Sequence, residues 1–231
     1  MALILSNEKV VENIYELKVV YEGIVNAGQF FMLKVSEQTF LPRPISVHDK
    51  TSEMISFLYQ VKGRGTHLLS EKKSGEDIIL NKPLGNGFEF FDIDSTFVAG
   101  GIGLAPLYLA LKEFKLLYPK RKATVYLGFS ELGYKISQFD DISDDLIVDL
   151  GGIITDKVES KEDEIYYCCG PEVMMRSLFD KMSDNNIYAS FERRMGCGVG
   201  ACFSCSIKTI DGMKRVCCDG PVFKAKEVFY E

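Results

Sequence analysis

The chain has 231 residues, 46% of them hydrophobic and 26% charged, with a formal net charge of −6. This is the composition of a soluble globular protein, long enough for one large domain or for two ordinary ones with a small module. No basic stripe is present to neutralise phosphates, which argues against a nucleic-acid partner and against a membrane surface.

The N-terminus, MALILSNEKVVENIYELKV, carries a brief apolar run that charges soon interrupt. It is too short for a signal peptide, and no later stretch approaches the roughly 18 apolar residues of a membrane helix. The expectation is a cytoplasmic protein, a compartment in which clustered cysteines are more often metal ligands than disulfides.

Residues 1–92 read as β-structure: IYELKVVYE, QFFMLKV, MISFLYQV and DIIL are short runs split by Gly, Asn and Pro turns, which predicts a small barrel or sandwich. Within it, LPRPISVHD sets Arg43, Pro44 and Ser46 on a constrained backbone. That grouping suits a flavin, with arginine on the pyrophosphate and serine on the ring, and suits equally an edge strand closed by proline. LYQVKGRGTHLL offers Gly63, Gly65 and Thr66 in a turn that either exposes N–H groups to a phosphate or simply closes a hairpin. PLGNGF (83–88) is a further tight turn. His48 and His67 fit no metal or catalytic pattern, so surface or local hydrogen-bonding roles are expected.

Residues 93–190 change pattern. TFVAG, ATVYLGFS, LIVDL and EIYYCCG are compact apolar runs of the kind found in buried parallel strands, and APLYLALKEFKLLY and PEVMMRSLFDKMS are helical. The alternation predicts a parallel sheet with crossover helices. TFVAGGIGLAPL runs a strand through Gly100, Gly101 and Gly103 into a helix, the setting in which a helix N-terminus receives a phosphate. It departs from the dinucleotide fingerprint, since Pro106 takes the last small-residue position and no acidic residue closes the second strand about 20 residues on. YYCCGPEVMM repeats the strand–turn–helix form and places Cys169, Gly170 and Pro171 at a strand's C-terminal end, where open sheets bind ligands. Cys168 is expected in the core. Cys169 either faces a nicotinamide or is one more buried thiol. The acidic runs FDDISDDL and ESKEDE are expected to be solvated loops.

Residues 191–231 are rich in Gly and Cys and hold five of the seven cysteines. The spacing Cys197-x4-Cys202-x2-Cys205, followed by the adjacent Cys217 and Cys218, is the plant-type arrangement of a 2Fe–2S cluster. A zinc site usually brings two paired C-x2-C arms, and only one such pair is present. Gly196, Gly198 and Gly200 allow a tight loop with N–H groups turned toward the sulfurs, and Arg193 and Arg194 are either further cations near the cluster or a solvated pair. In extended backbone, Cys217 and Cys218 would point to opposite sides, leaving one as a bystander.

In this order, RPIS, GRGT, GGIGLAPL, CGPEVMM and the arms ERRMGCGVGACFSCSIKT and RVCCDGPVF resemble the ferredoxin–NADP reductase superfamily with an appended 2Fe–2S domain. Within it the chain looks like the electron-transfer subunits of type-B dihydroorotate dehydrogenases. The resemblance covers essentially the whole chain. It implies an α+β multidomain protein with an antiparallel β-barrel FAD domain (1–92), an α/β parallel-sheet NAD-binding domain (93–190) and a small 2Fe–2S module (191–231). FAD would be held by Arg43, Pro44, Ile45 and Ser46, by Leu58, Tyr59 and Gln60, and by Gly65 and Thr66. The cluster would be ligated by Cys197, Cys202, Cys205 and Cys217. The implied partner is an FMN-containing catalytic subunit, two copies of each forming a heterotetramer that oxidises dihydroorotate in pyrimidine biosynthesis. This chain alone has no room for a (β/α)8 barrel. Two alternatives are the flavin and iron–sulfur subunit of another NAD(P)H oxidoreductase complex, of ferredoxin, sulfur or hydrogenase type, and a zinc-binding interaction protein. The choice between NAD and NADP stays open.

Overall fold

The computed structural model describes residues 1–36, 39–182 and 186–230. Strand β1 (Ala2–Val11) shows the period-two signature of a half-buried strand, with Ala2 and Ile4 inside and Leu3 and Leu5 outside. It pairs antiparallel with β2 (Ile14–Val20) through a turn in which Asn13 takes a left-handed conformation, φ 61°. β3 (Phe30–Lys34), β4 (Arg43–Ser46), β5 (Asp49–Lys50), β6 (Met54–Gln60) and β7 (Asp77–Leu80) complete a seven-stranded sheet in the order β4-β3-β7-β1-β2-β6-β5. The sheet curls until β4 approaches β6, and the T-shaped pair Phe31–Phe57 lies inside it.

GRGT does not turn a hairpin. Gly63 precedes the helix α1 (Arg64–Ser70), and the Thr66 hydroxyl accepts the N–H groups of Lys62 and Gly63, which a helix start leaves without intrahelical partners.

The second sheet contains the parallel strands β8 (Ser95–Gly100), β9 (Ala123–Phe129), β10 (Asp145–Leu150), β11 (Ile165–Cys169) and β12 (Asn186–Ser190). Helices α2 (Leu104–Leu117), α3 (Ile136–Asp140), α4 (Ile154–Lys157) and α5 (Glu172–Lys181) connect them. The order β10-β9-β8-β11-β12 reverses between β8 and β11, opening a crevice at their C-terminal ends.

The cysteine-rich segment contains the hairpin β13 (Ser206–Thr209) and β14 (Gly212–Arg215), then β15 (Val222–Lys224) and α6 (Ala225–Val228). β15 adds antiparallel to β12, so the chain's end extends the second sheet. One apolar cluster joins Phe30 and Met32 of the barrel to Cys205, Val216 and Cys217.

His48 is 1% exposed, so of the two roles expected from sequence it has the hydrogen-bonding one and not the surface one, with partners far along the chain. Its Nδ1 lies 2.9 Å from the Ala105 carbonyl and its Nε2 3.0 Å from the Gln138 amide nitrogen, a pairing that a neutral ring protonated on Nδ1 satisfies. It joins the barrel to α2 and α3, together with the ion pairs Lys135–Glu16 and Lys50–Glu113. The acidic runs are not uniformly solvated loops either. Asp144 accepts the Ala123 N–H and pairs with Lys115, and Glu164 pairs with Lys161 and accepts the Thr96 hydroxyl.

Candidate functional site

Three features meet where the barrel, the second sheet and the cysteine arms converge. The first is an apolar slot of about 190 Å3. Pro44, Ile45 and Ser46 of β4 and Leu58, Tyr59 and Gln60 of β6 form its barrel wall, and Ala105, Pro106 and Cys169 face them. Burial pushes the Cys169 thiol well up, with Glu192 and Cys168 adding to the effect, so it lines the slot as a neutral group. Cys168 lies on the strand's opposite face, fully buried and pushed up to about 12 by desolvation.

Beside the slot, Arg43, Lys62, Arg193 and Arg194 line a cavity of about 590 Å3 in which Glu192 is the one lining carboxylate among the described residues. Arg43 donates to the Leu41 carbonyl at 2.8 Å and lies flat against Gly65, where a Cβ would fall 2.0 Å from its Nε. Gly65 thus serves the arginine's placement, and neither it nor Thr66 lines the slot or this cavity. An apolar slot for a ring system beside a cationic cavity for a pyrophosphate is the donor set that FAD needs.

The second feature is the crevice at the sheet's reversal, about 740 Å3, lined by Gly100, Gly101 and Gly103 ahead of α2 and by Gly170 and Pro171 ahead of α5. It shares Gln60, Lys62, Ile102, Glu192 and Arg193 with the slot. The acidic residue that spacing did not reveal is present. Glu131 stands two residues past the end of β9 and lines the crevice, because the 14-residue α2 and its flanking loops delay the second strand.

The third feature is the cysteine module. The thiols fall in two neighbouring pairs, Cys197 with Cys202 and Cys205 with Cys217, each pair close enough for one thiol to shift the titration of the other. Hydrogen bonds from the Ser204 hydroxyl and backbone, with help from Cys197, draw the exposed Cys202 thiol down to about 6. Burial, with the Cys205 contact, pushes Cys217 up to about 12. No three His, Cys, Asp or Glu among the described residues converge on one ion. Two thiol pairs suit two irons bridged by sulfide better than one zinc. The Gly200 N–H donates to Cys217 Sγ at 3.2 Å and the Val199 N–H to Cys197 Sγ at 3.4 Å, the kind of donors that offset a cluster's negative charge. The Gly196 N–H goes instead to the Ser204 hydroxyl at 3.0 Å.

Two sequence expectations change here. Cys217 and Cys218 lie in a tight turn, with the Cys218 and Asp219 N–H groups both on the Arg215 carbonyl, and not in extended backbone. They still diverge: Cys217 is 2% exposed and Cys218 is open to solvent. Arg193 turns from the thiols to pair with Glu172 at 2.8 Å. The cation held at the module is Arg215, which sequence reading passed over. It pairs with Asp219, donates to the Gly200 carbonyl and stacks on Phe203. Its position next to VCC was the available signal.

Residues 192–229 match the model of the iron–sulfur cluster binding domain of dihydroorotate dehydrogenase B. Over 96% of this chain and 94% of the relative, the sequence is 37% identical to the dihydroorotate dehydrogenase B (NAD(+)) electron transfer subunit of Clostridium acetobutylicum. The subunit of the same name from Clostridium perfringens is 38% identical over the same shares. Among solved structures, one described for flavin-based electron bifurcation by NADH-dependent reduced ferredoxin-NADP oxidoreductase is 29% identical, with a TM-score of 0.89 over 99% of this chain and 89% of that one. Phthalate dioxygenase reductase, at 17% identity and a TM-score of 0.69 over 90% of this chain and 86% of that one, shares the fold. The chain therefore belongs to the family of electron-transfer subunits of NAD-dependent dihydroorotate dehydrogenase B.

Proposed function

We propose that this chain carries electrons from a catalytic dihydroorotate dehydrogenase subunit to NAD+, with residues 1–92 holding FAD, 93–190 the nicotinamide nucleotide and 191–231 a 2Fe–2S cluster. One observation carries the reading: both cysteine arms contribute to the wall of the flavin slot, Met195 from the first and Pro221 from the second, and the slot's other side opens on the nucleotide crevice. The sites are thus in series. When bound, FAD supplies hydride exchange with a nicotinamide and the cluster supplies one-electron steps, which joins a two-electron donor to a two-electron acceptor.

The chain's residues bind and orient. Pro44, Ile45, Leu58 and Tyr59 clamp a flat ring and Ser46 and Gln60 offer polar contacts at its edge, while Arg43 supplies charge for a pyrophosphate. The N-terminus of α2 behind Gly100, Gly101 and Gly103 takes the nucleotide's phosphates, with Gly170 and Pro171 on the other lip. Cys169, uncharged, lines the slot and would pack against a bound ring without placing an anion there. Cys197, Cys202, Cys205 and Cys217 would hold the cluster, their thiols being paired Cys197 with Cys202 and Cys205 with Cys217. Cys202, Val199 and Phe203 are exposed together, and this is the face that would turn a bound cluster toward the partner.

That partner is an FMN-containing catalytic subunit in a cytoplasmic heterotetramer of two copies each. Anaerobic co-purification with the native partner tests the reading: the complex should contain FMN, FAD, iron and sulfide and reduce NAD+ with dihydroorotate. A partner without FMN, or a complex inert toward dihydroorotate, rejects it. The likeness to the reduced ferredoxin-NADP oxidoreductase structure favours one second reading, a ferredoxin-linked subunit. Ferredoxin-dependent turnover without dihydroorotate activity would support that instead.

A further inference from the structure

The donors that reach the ligand sulfurs differ in kind. Cys197 and Cys217 receive main-chain N–H groups, from Val199 at 3.4 Å and from Gly200 at 3.2 Å. Such donors belong to the backbone and stay with the fold whatever side chains the loop carries. Cys202 has a side-chain partner instead, the Ser204 hydroxyl, whose oxygen lies 3.2 Å from its Sγ. That proton is present only because the sequence places a serine inside the Cys202-x2-Cys205 arm.

The serine's other contact fixes the direction of this hydrogen bond. The Gly196 N–H donates to Ser204 Oγ at 3.0 Å, which uses an oxygen lone pair and leaves the hydroxyl's single proton for the sulfur. A cysteine that binds iron does so as the thiolate, so Cys202 can then only accept. Gly196 sits close against both partners: a Cβ there would come within 3.3 Å of Cys202 Sγ and 3.4 Å of Ser204 Oγ. The hydroxyl is thus held between the residue preceding Cys197 and the sulfur of Cys202. A hydrogen bond to sulfur strengthens as the sulfur gains negative charge, so it favours the reduced form of a bound cluster over the oxidised one. Cys202 and Ser204 are both exposed, on the face that would turn toward the partner.

Resting on the cluster reading proposed above, we infer that Ser204 is a positioning residue for electron transfer: its hydroxyl, oriented by the Gly196 N–H, donates to Cys202 Sγ and raises the reduction potential of the cluster. It thereby sets how readily an electron is taken from the catalytic subunit and how readily it is passed on to FAD. Electrons enter and leave singly, and the serine keeps its proton throughout. The residue acts on the equilibrium and forms no bond to the cluster.

The test is a potentiometric titration of the anaerobic complex of this chain with its native partner, the reduced cluster being followed by electron paramagnetic resonance. Ser204→Ala should lower the one-electron equilibrium constant for reduction by roughly three- to tenfold, or about 30–60 mV, with iron, sulfide and FAD content unchanged. Ser204→Thr, which keeps a hydroxyl at the same place, should stay within about twofold of wild type, or about 20 mV. An unchanged potential in Ser204→Ala overturns the inference. So does an equal fall in Ser204→Thr, which would assign the effect to packing. A second measurement needs only the wild-type complex, transferred to D2O long enough to exchange hydroxyls but not hydrogen-bonded amides. Electron–nuclear double resonance should then show an exchanged proton coupled to the reduced cluster. Its absence overturns the inference even where Ser204→Ala sheds the cluster. A wild-type complex with no 2Fe–2S signal at all fails the cluster reading, and the assignment of Ser204 with it.

Discussion

The backbone N–H of Gly200 donates to the Sγ of Cys217 across a gap of 3.2 Å, tying the first cysteine arm to the second. Gly200 makes this contact at φ +79°, and a Cβ there would come within 2.8 Å of Cys218 Sγ and 3.1 Å of Arg215 Nη1. Gly200→Ala is therefore expected to destabilise the module by about 1–3 kcal/mol through left-handed strain and crowding. Faster bleaching of the cluster's visible absorption in air or chelator, beside an unchanged flavin spectrum, is the measurement.

The two adjacent thiols make the sharpest pair of variants. Cys217 is enclosed and faces Cys205, whereas Cys218 is open to solvent. Cys217→Ser should lose the cluster's absorption and two equivalents of iron, and Cys218→Ser should keep both. The reverse pattern moves the fourth ligand by one residue.

Arg43 is placed by its contact with Gly65 and its hydrogen bond to Leu41. Arg43→Ala removes a charge-assisted contact to a pyrophosphate, an effect of about 1.5–3 kcal/mol, or roughly ten- to a hundredfold in FAD affinity. Gly65→Ala should reproduce part of that loss by displacing the guanidinium. Flavin retained after gel filtration reports both, and full retention in Arg43→Ala rejects the role.

Burial holds His48 below its ordinary value of 6.5, although the Ala105 carbonyl and Glu16 pull the other way. The unfolded chain thus takes up this proton more readily than the folded one, so the His48 contribution is intact above pH 6.5 and is lost as pH falls toward the lowered value. Denaturation midpoints between pH 8 and 5 should decline on the acid side. His48→Gln, which cannot protonate, should show a shallower decline. An identical slope would assign the effect to other groups.

Sequence alone determined the chemistry of the cysteine module and the alternation of strands and helices, because both are local. Ligand spacing lies within one segment, and the apolar runs of β8, β9 and β11 show their burial in their own composition. It also located GRGT and GGIGLAPL as turns of interest without fixing their form. Only the tertiary structure decided the relationships among distant segments. The enclosure of Cys217 over Cys218 depends on Cys205 and on barrel residues Phe30 and Met32. The burial of His48 depends on two helices from another part of the chain. Glu131 and Arg193 acquire their settings from where β9 ends and from where Glu172 begins α5. Such placements arise from packing between residues far apart in the chain, and a burial pattern read along one strand carries no record of its neighbours.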